Sequence, residues 1–300
     1  MAKHAYIIVA NANFRVLEVC LRLIDDVRND IFLLIDQKSR VSAEYFERLK
    51  HLCKSSPLQI CEQIVNWGGY SQIDAVLHLI TQCNQSGTEY QYIHFFQGSD
   101  LPIKSQDEIH SFFDENNGKE FVEVKKNLGV MAQNKTEYRH FFCHNRFFRA
   151  NKLMKILNFG TVKIQELLHI KKNLGMDVYQ GSALFSITGE CARYVEKRRK
   201  EIRKKFRFSL AGDEVFLQSI LMDSPFADRI ADIEKGTSSN ARLIDRTRPD
   251  GKNSPHIWRS DEFEKIMDAP KEICFARKFD EKIDFQIVKR IYNKIRDEEL

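Results

Sequence analysis

Runs of apolar residues alternate with helix-like periodicity along the first hundred positions. Residues 6–10 are continuously apolar, as in a strand buried on both faces. Asn11 and Asn13 follow as turn or capping residues. Phe14, Val16, Leu17, Cys20, Leu21, Leu23 and Ile24 then recur at spacings that share one helix face. Residues 31–35 form a second apolar run ending on Asp36, residues 43–52 read as a helix, and residues 60–65 as a third strand leading into Trp67-Gly-Gly. Ser71 is expected to cap a helix reaching about Cys83, and residues 92–96 form a fourth strand. Strands separated by helical runs predict an α/β fold with a mainly parallel central sheet flanked by helices.

The middle of the chain differs. Residues 121–125 read as a strand, and residues 138–172 are basic and aromatic, with Phe141, Phe142, Phe147, Phe148 and a helical pattern over 153–168. Those aromatics fit core packing, or alternatively a pocket wall or membrane-facing surface. Residues 178–187 restore a strand pattern in which Gly181 marks a close backbone approach. Ala211-Gly-Asp-Glu214 opens a further helix at Asp213, residues 236–254 have the composition of a loop, and helical patterns return from Ser260. No internal repeat is visible. The expectation is a single domain over 1–300, with halves of about 1–120 and 121–300.

With 43% hydrophobic and 30% charged residues this is the composition of a soluble globular protein. No apolar run approaches the ~20 residues needed to span a bilayer. The start runs directly into a strand without a signal-peptide pattern, so a cytoplasmic protein beginning at residue 1 is expected. Seven scattered cysteines without a CxxC pair point to reduced thiols, and no HExxH or EF-hand pattern supports a metal site. The net charge of +5 is unevenly placed: Lys197-Arg-Arg-Lys200, Arg203-Lys-Lys205 and Arg207 form a basic run beside Tyr194, Ile202 and Phe206. That run fits a solvated helix face, or peripheral contact with an anionic membrane. No nucleic-acid module accompanies it, so no nucleic-acid partner is expected.

The candidate chemistry begins where the fourth strand stops, at Gly98-Ser-Asp100. Ligands of α/β folds gather beyond the carboxyl ends of strands. Gly98 and Ser99 would let a phosphate or sugar approach the backbone, and Asp100 would set a carboxylate beside it. The turn after the first strand, Asn11-Ala-Asn13, has no dinucleotide-binding glycine fingerprint, and a P-loop is absent. Glu214 on its own reads as a helix-opening glutamate favoured by the helix dipole.

The ordered set Ile35-Asp-Gln-Lys-Ser39, Trp67-Gly-Gly-Tyr-Ser71, Gly98-Ser-Asp-Leu-Pro-Ile-Lys-Ser105, Gly181-Ser-Ala183, Gly212-Asp-Glu214 and Phe275-Ala-Arg-Lys-Phe-Asp280 resembles the core-2/I-branching glycosyltransferases. That group contains β-1,6-N-acetylglucosaminyltransferases and peptide xylosyltransferases, and the likeness runs from about residue 4 to 295. The resemblance implies a GT-A-type fold, a UDP-sugar donor, inversion at the anomeric carbon and no requirement for a metal. It implies Glu214 as catalytic base and Asp36 as a nucleoside contact, with Gly98, Ser99 and Asp100 also at the donor. It implies Lys278 as the cation that meets the diphosphate. Asp213 is then a cap or orienter; Arg246, Arg248 and Arg277 are candidates for a partner of Lys278. Trp67 fits the nucleoside pocket or simple packing, and Glu120 or Glu123 fits an acceptor-binding glutamate.

Without the anchor, stem or disulfide pattern of animal Golgi members, the chain looks like a bacterial, cytoplasmic relative. The function expected is transfer of a sugar, N-acetylglucosamine by the family's commonest donor, to a glycan or lipid-linked glycan acceptor in surface polysaccharide synthesis. The rival reading is a catalytically inactive basic α/β protein that binds membrane or nucleic acid. A metal-dependent transferase using Asp36 and Asp100 ranks lower, because those acids end different strands.

Overall fold

The computed structural model describes residues 2–125, 130–233, 239–248, 250 and 254–300, with only the backbone for 130–133. The loop read over 236–254 therefore lies partly outside the described residues. The strands are β1 Lys3–Ala10, β2 Asn29–Asp36, β3 Leu58–Gln63, β4 Tyr90–Gln97, β5 Asp100–Pro102, β6 Phe121–Val122, β7 Phe185–Thr188, β8 Arg242–Ile244 and β9 Phe275–Arg277. The helices begin with α1 Phe14–Ile24, α2 Ala43–Lys50, α3 Ser71–Gln85, α4 Gln106–Glu115 and α5 Val130–Glu137. They continue with α6 Lys152–Leu167, α7 Gly189–Lys197, α8 Arg199–Phe206, α9 Phe216–Met222, α10 Phe263–Met267 and α11 Gln286–Arg296. This is the mixed α/β architecture, with a mostly parallel sheet, that the alternating pattern predicts.

The chain forms two compact units, Met1–Glu62 with Thr88–Gly118 and Ala241–Leu300, and Gln63–Gly87 with Lys119–Asn240. It passes from one to the other more than once, so a single cut near residue 120 does not describe it. In the first unit the strand order is β3-β2-β1-β4, and β1 runs parallel to β2 and β4. Every residue of β2 is buried, which is why its sequence shows a continuous apolar run instead of alternation. α1 packs on β5 and α11, burying Val16, Leu17, Cys20, Leu21, Leu23 and Ile24 as its spacing predicts. A second, three-stranded sheet joins β5, β9 and β8.

In the second unit β6 and β7 pair antiparallel. The strand expected over 178–187 shortens to β7, because 178–184 are taken up in positioning the Glu214 loop described below. Ser71 opens α3 as its first residue, and its hydroxyl accepts from the Asn66 amide at 2.7 Å instead of capping the helix. The basic run breaks at Arg198 into α7 and α8. Ile202 and Phe206 are wholly buried, so the stripe beside the cations is core. Arg198 and Lys205 pair with Glu201, and Arg199 pairs with Asp74 at 2.9 Å. Tyr194, the third residue of the stripe, is half-buried beneath Arg198. Phe148 joins the core, whereas Phe141 and Phe147 are exposed. All seven cysteines are free.

Three buried histidines sit beneath the first unit's sheet. His4 stacks on His110 with ring centroids 4.0 Å apart, and His94 Nε2 lies 3.1 Å from His4 Nδ1. Burial holds all three imidazoles below their ordinary range, His110 at about 4, with Arg28 and Arg242 adding repulsion. The unfolded chain takes up these protons near pH 6.5, whereas in the folded chain His110 refuses its proton until about pH 4 and burial holds His4 and His94 well below their ordinary range. Their contribution is therefore complete above pH 6.5 and is lost as pH falls, at ~1.4 kcal/mol per pH unit for each proton. Denaturant midpoints should drop steeply across that window; a flat profile would show that the imidazoles are not held neutral.

Candidate active site

The donor-side residues lie in the first unit, where β4 ends. Gly98 donates its amide to Val9 O, and a Cβ there would sit 3.1 Å from both Ala10 Cβ and Ala12 O. A side chain there would press on the end of β1, which favours glycine at this turn. Ser99 Oγ accepts from Asn13 Nδ2 at 2.7 Å, and Ser99 O accepts from the Phe279 amide at 2.9 Å. Asn13 caps α1 in a left-handed conformation, φ 57°, with its side chain turned to this contact.

Asp100 is only 2% exposed, and both of its carboxylate oxygens are engaged. Oδ2 accepts from the Gln97 amide at 2.7 Å and Oδ1 from Arg277 at 2.5 Å, while Arg277 also reaches Gln97 Oε1 at 2.6 Å. Breaking a buried pair of this kind costs ~3–5 kcal/mol, because one charge is left without its partner. Asp100 and Arg277 thus hold the turn and the β5–β9 pairing together.

Lys278 follows on the next residue and turns elsewhere, donating to Ser254 Oγ at 3.3 Å. Its backbone is clamped by Trp258, whose amide donates to Lys278 O at 3.0 Å and whose indole donates to Arg277 O at 2.8 Å. Arg248 pairs with Asp245 and Glu262, each at 2.8 Å, and Arg246 is exposed. Arg242, not singled out from the sequence, is buried, donates to Phe95 O at 2.9 Å and is pushed down to about 10 by burial. Asp36 is buried at the end of β2, where it accepts from the Lys38 amide at 3.1 Å and pairs with Lys38 Nζ at 3.2 Å.

The carboxylate centre lies in the second unit. Gly212–Glu214 is a single 3-10 turn, not the opening of a helix; α9 begins two residues later. Glu214 Oε2 accepts from Lys135 Nζ at 3.1 Å and Gln180 Nε2 at 3.4 Å. Among the described residues Oε1 accepts no hydrogen bond, and the side chain is 38% exposed. Its backbone carbonyl takes the Gly181 amide at 2.9 Å. A Cβ at residue 181 would fall 1.7 Å from Glu123 O, which bears out the close approach predicted there.

The Trp67-Gly-Gly-Tyr segment builds this same centre. Gly68 adopts φ 77° and its carbonyl accepts from the Ala211 amide at 2.8 Å. Gln72 accepts from the Gly68 amide and donates to Asp213 Oδ2 at 3.0 Å. Trp67 itself is partly exposed, with Arg149 over its ring at 5.5 Å. Asp213 Oδ1 is buried and has no partner among the described residues. Burial, and then the neighbouring Glu214, push Asp213 up to about 7. Glu120 is fully buried, holding Thr188 and Arg229, and so is a core knot. Glu123 lies 3.7 Å from Lys125 Nζ. Lys135, Gln180 and Gln72 went unnoticed in the sequence, since each is an ordinary polar residue identified only by what the fold sets beside it.

The sequence model of the Core-2/I-Branching enzyme family matches residues 4–266. The chain belongs to that family. The Caenorhabditis elegans protein "Xylosyltransferase sqv-6" is 28% identical over 242 residues, covering 74% of this chain and 28% of its own length. The zebrafish protein "Beta-1,3-galactosyl-O-glycosyl-glycoprotein beta-1,6-N-acetylglucosaminyltransferase 4" is 23% identical over 317 residues, covering 99% of this chain and 70% of its own. This chain therefore spans little more than a quarter of the nematode relative. The crystal structure of mouse xyloside xylosyltransferase 1 aligns over 92% of this chain and 97% of that one, with 12% identity and a TM-score of 0.37.

The unpartnered Asp213 oxygen in this family member yields a stability prediction. The unfolded carboxyl ionises near pH 3.8 and the folded one near 7, so the folded state holds the extra proton and loses relative stability as pH rises between those values. Asp213→Asn mimics the protonated form and can still accept from Gln72. It should raise the melting temperature more at pH 8 than at pH 5, about as ~1 proton's linkage dictates. An equal shift at both pH values would show that Asp213 is already ionised.

Proposed function

We propose that the chain is an inverting glycosyltransferase of the GT-A type that needs no metal, moving a sugar from a UDP-sugar to a hydroxyl of a glycan acceptor. The observation that carries this reading is the Glu214 carboxylate, fixed at Oε2 by Lys135 and Gln180 while Oε1 stays open. An oxygen nucleophile attacking C1 from the face opposite the leaving group must give up its proton. Oε1 is the lone-pair site suited to receive it. Asp213, with Oδ1 buried and Oδ2 held by Gln72, is closed to an acceptor hydroxyl and supports the turn.

The departing diphosphate gains negative charge, which a metal or fixed cations must stabilise. Lys278 is the cation assigned to it, with its backbone held by Trp258. Arg277 neutralises Asp100, so the Gly-Ser-Asp turn offers a divalent cation no open carboxylate. N-acetylglucosamine is the sugar we assign, following the name of the zebrafish relative, with xylose the competitor from the nematode one. We read the acceptor as a glycan of a bacterial surface polysaccharide, free or lipid-linked, extended from the cytoplasmic side.

Transfer should be measured in excess chelator against a panel of UDP-sugars. Glu214→Gln should keep donor affinity while lowering turnover ~10²–10⁴-fold, the scale of general-base loss. Lys278→Ala should weaken UDP binding, since one charge-assisted phosphate contact contributes ~1.5–3 kcal/mol. Near-normal turnover by Glu214→Gln, or activity abolished by chelator and restored by Mn²⁺, would overturn the reading.

A further inference from the structure

Helix α6 is docked with its amphipathicity reversed. At 100° per residue, Leu153, Ile156, Leu157, Ile164, Leu167 and Leu168 span an arc of about 120° that contains no charged residue. These six side chains, the last of them at the helix C-cap, are between 44% and 78% exposed. The face turned into the protein carries Asn158, Val162 and Gln165, all buried, so two of its three buried residues are polar. Gln165 accepts from the Arg139 amide at 2.9 Å and donates to Arg139 O at 3.0 Å; Asn158 lies 2.9 Å from His140 Nδ1. Turning the helix over would strip the Arg139 backbone of both bonds and bury no comparable polar partner. The inward polar face therefore locks the apolar face outward.

A soluble monomer gains nothing from such a surface, and contiguous exposed apolar patches mark interaction sites. The charge around it selects the partner. Residues 146–172 carry seven Lys or Arg against the single carboxylate Glu166. Lys152 and Lys163 border one edge of the apolar arc, and the exposed rings of Phe147 and Phe159 stand beside cations, Arg146 at 4.6 Å and Lys163 at 5.5 Å. A second copy of the same face would bring these like charges together. An apolar stripe edged by cations and aromatic rings has the chemistry of a helix lying in a lipid interface.

We propose that α6 seats this chain on an anionic phospholipid bilayer, its axis in the membrane plane and its apolar arc among the acyl chains. The site is independent of the Glu214 and Lys278 assignments. No helix among the described residues is long and apolar enough to cross a membrane, so the attachment is peripheral.

The test is co-sedimentation of the full chain with vesicles of phosphatidylcholine alone, or of equal parts phosphatidylcholine and phosphatidylglycerol. Wild type should pellet with the mixed vesicles at low salt and be released by high salt. Leu153→Gln/Ile164→Gln/Leu167→Gln should stay in the supernatant with an unchanged melting temperature, because all three side chains are already exposed. Lys152→Gln/Lys163→Gln, which leaves the apolar arc intact, should weaken partitioning roughly 20–30-fold at about 1 kcal/mol per cation. Wild type remaining in the supernatant with both vesicles overturns the proposal. So does equal binding to neutral vesicles, or a salt-stable dimer in solution that the triple variant disperses.

Discussion

The carboxylate centre depends on the backbone of residue 181 passing against the Glu123 carbonyl. Any side chain there would have its first carbon 1.7 Å from that oxygen, so the crossing exists only for glycine. Three contacts follow from it. The Gly181 amide holds Glu214 O, the Lys125 amide holds Gln180 O at 2.8 Å, and the Gln180 side chain reaches Glu214 Oε2. The position of the carboxylate is thus set by backbone packing before any side chain acts on it. Gly68 and Gln72 fix the other side of the same turn through Ala211 and Asp213.

That turn places two adjacent carboxylates in unlike surroundings. Asp213 is enclosed with one oxygen unpartnered, and Glu214 is half open to solvent and braced by a lysine. Burial pushes Asp213 up to about 7, so the turn joins an enclosed carboxyl to an accessible one. In the first unit, acids and cations are used differently. Asp100 and Arg277 neutralise one another inside the structure, while Lys278, on the following residue, donates to Ser254 Oγ.

The fold was legible because its signals are local. The apolar runs of β1, β2 and β4 and the spacing in α1 report burial directly, and α6 was visible as a helix. What α6 faces was not legible, since periodicity identifies an apolar stripe without saying whether protein or another medium covers it. Ile202 and Phe206 show the same limit in reverse, having the spacing of a surface stripe and lying wholly inside. For the site, the packing of Gly98 and the ion pair of Asp100 were not legible, because Ala10, Ala12 and Arg277 are far away along the chain. The bracing of Glu214 by Lys135 is a long-range contact that no spacing encodes.

If Gly181 matters by positioning Glu214, removing both must cost no more than removing the base alone. The decisive measurement is a double-mutant cycle of Gly181→Ala and Glu214→Gln, with turnover expressed per donor-binding molecule so that unfolded protein does not count. Gly181→Ala should lose most of the turnover that Glu214→Gln loses, and the double variant should be no slower than Glu214→Gln. Losses that multiply in the double variant would contradict the account, because the crossing and the carboxylate would then act independently.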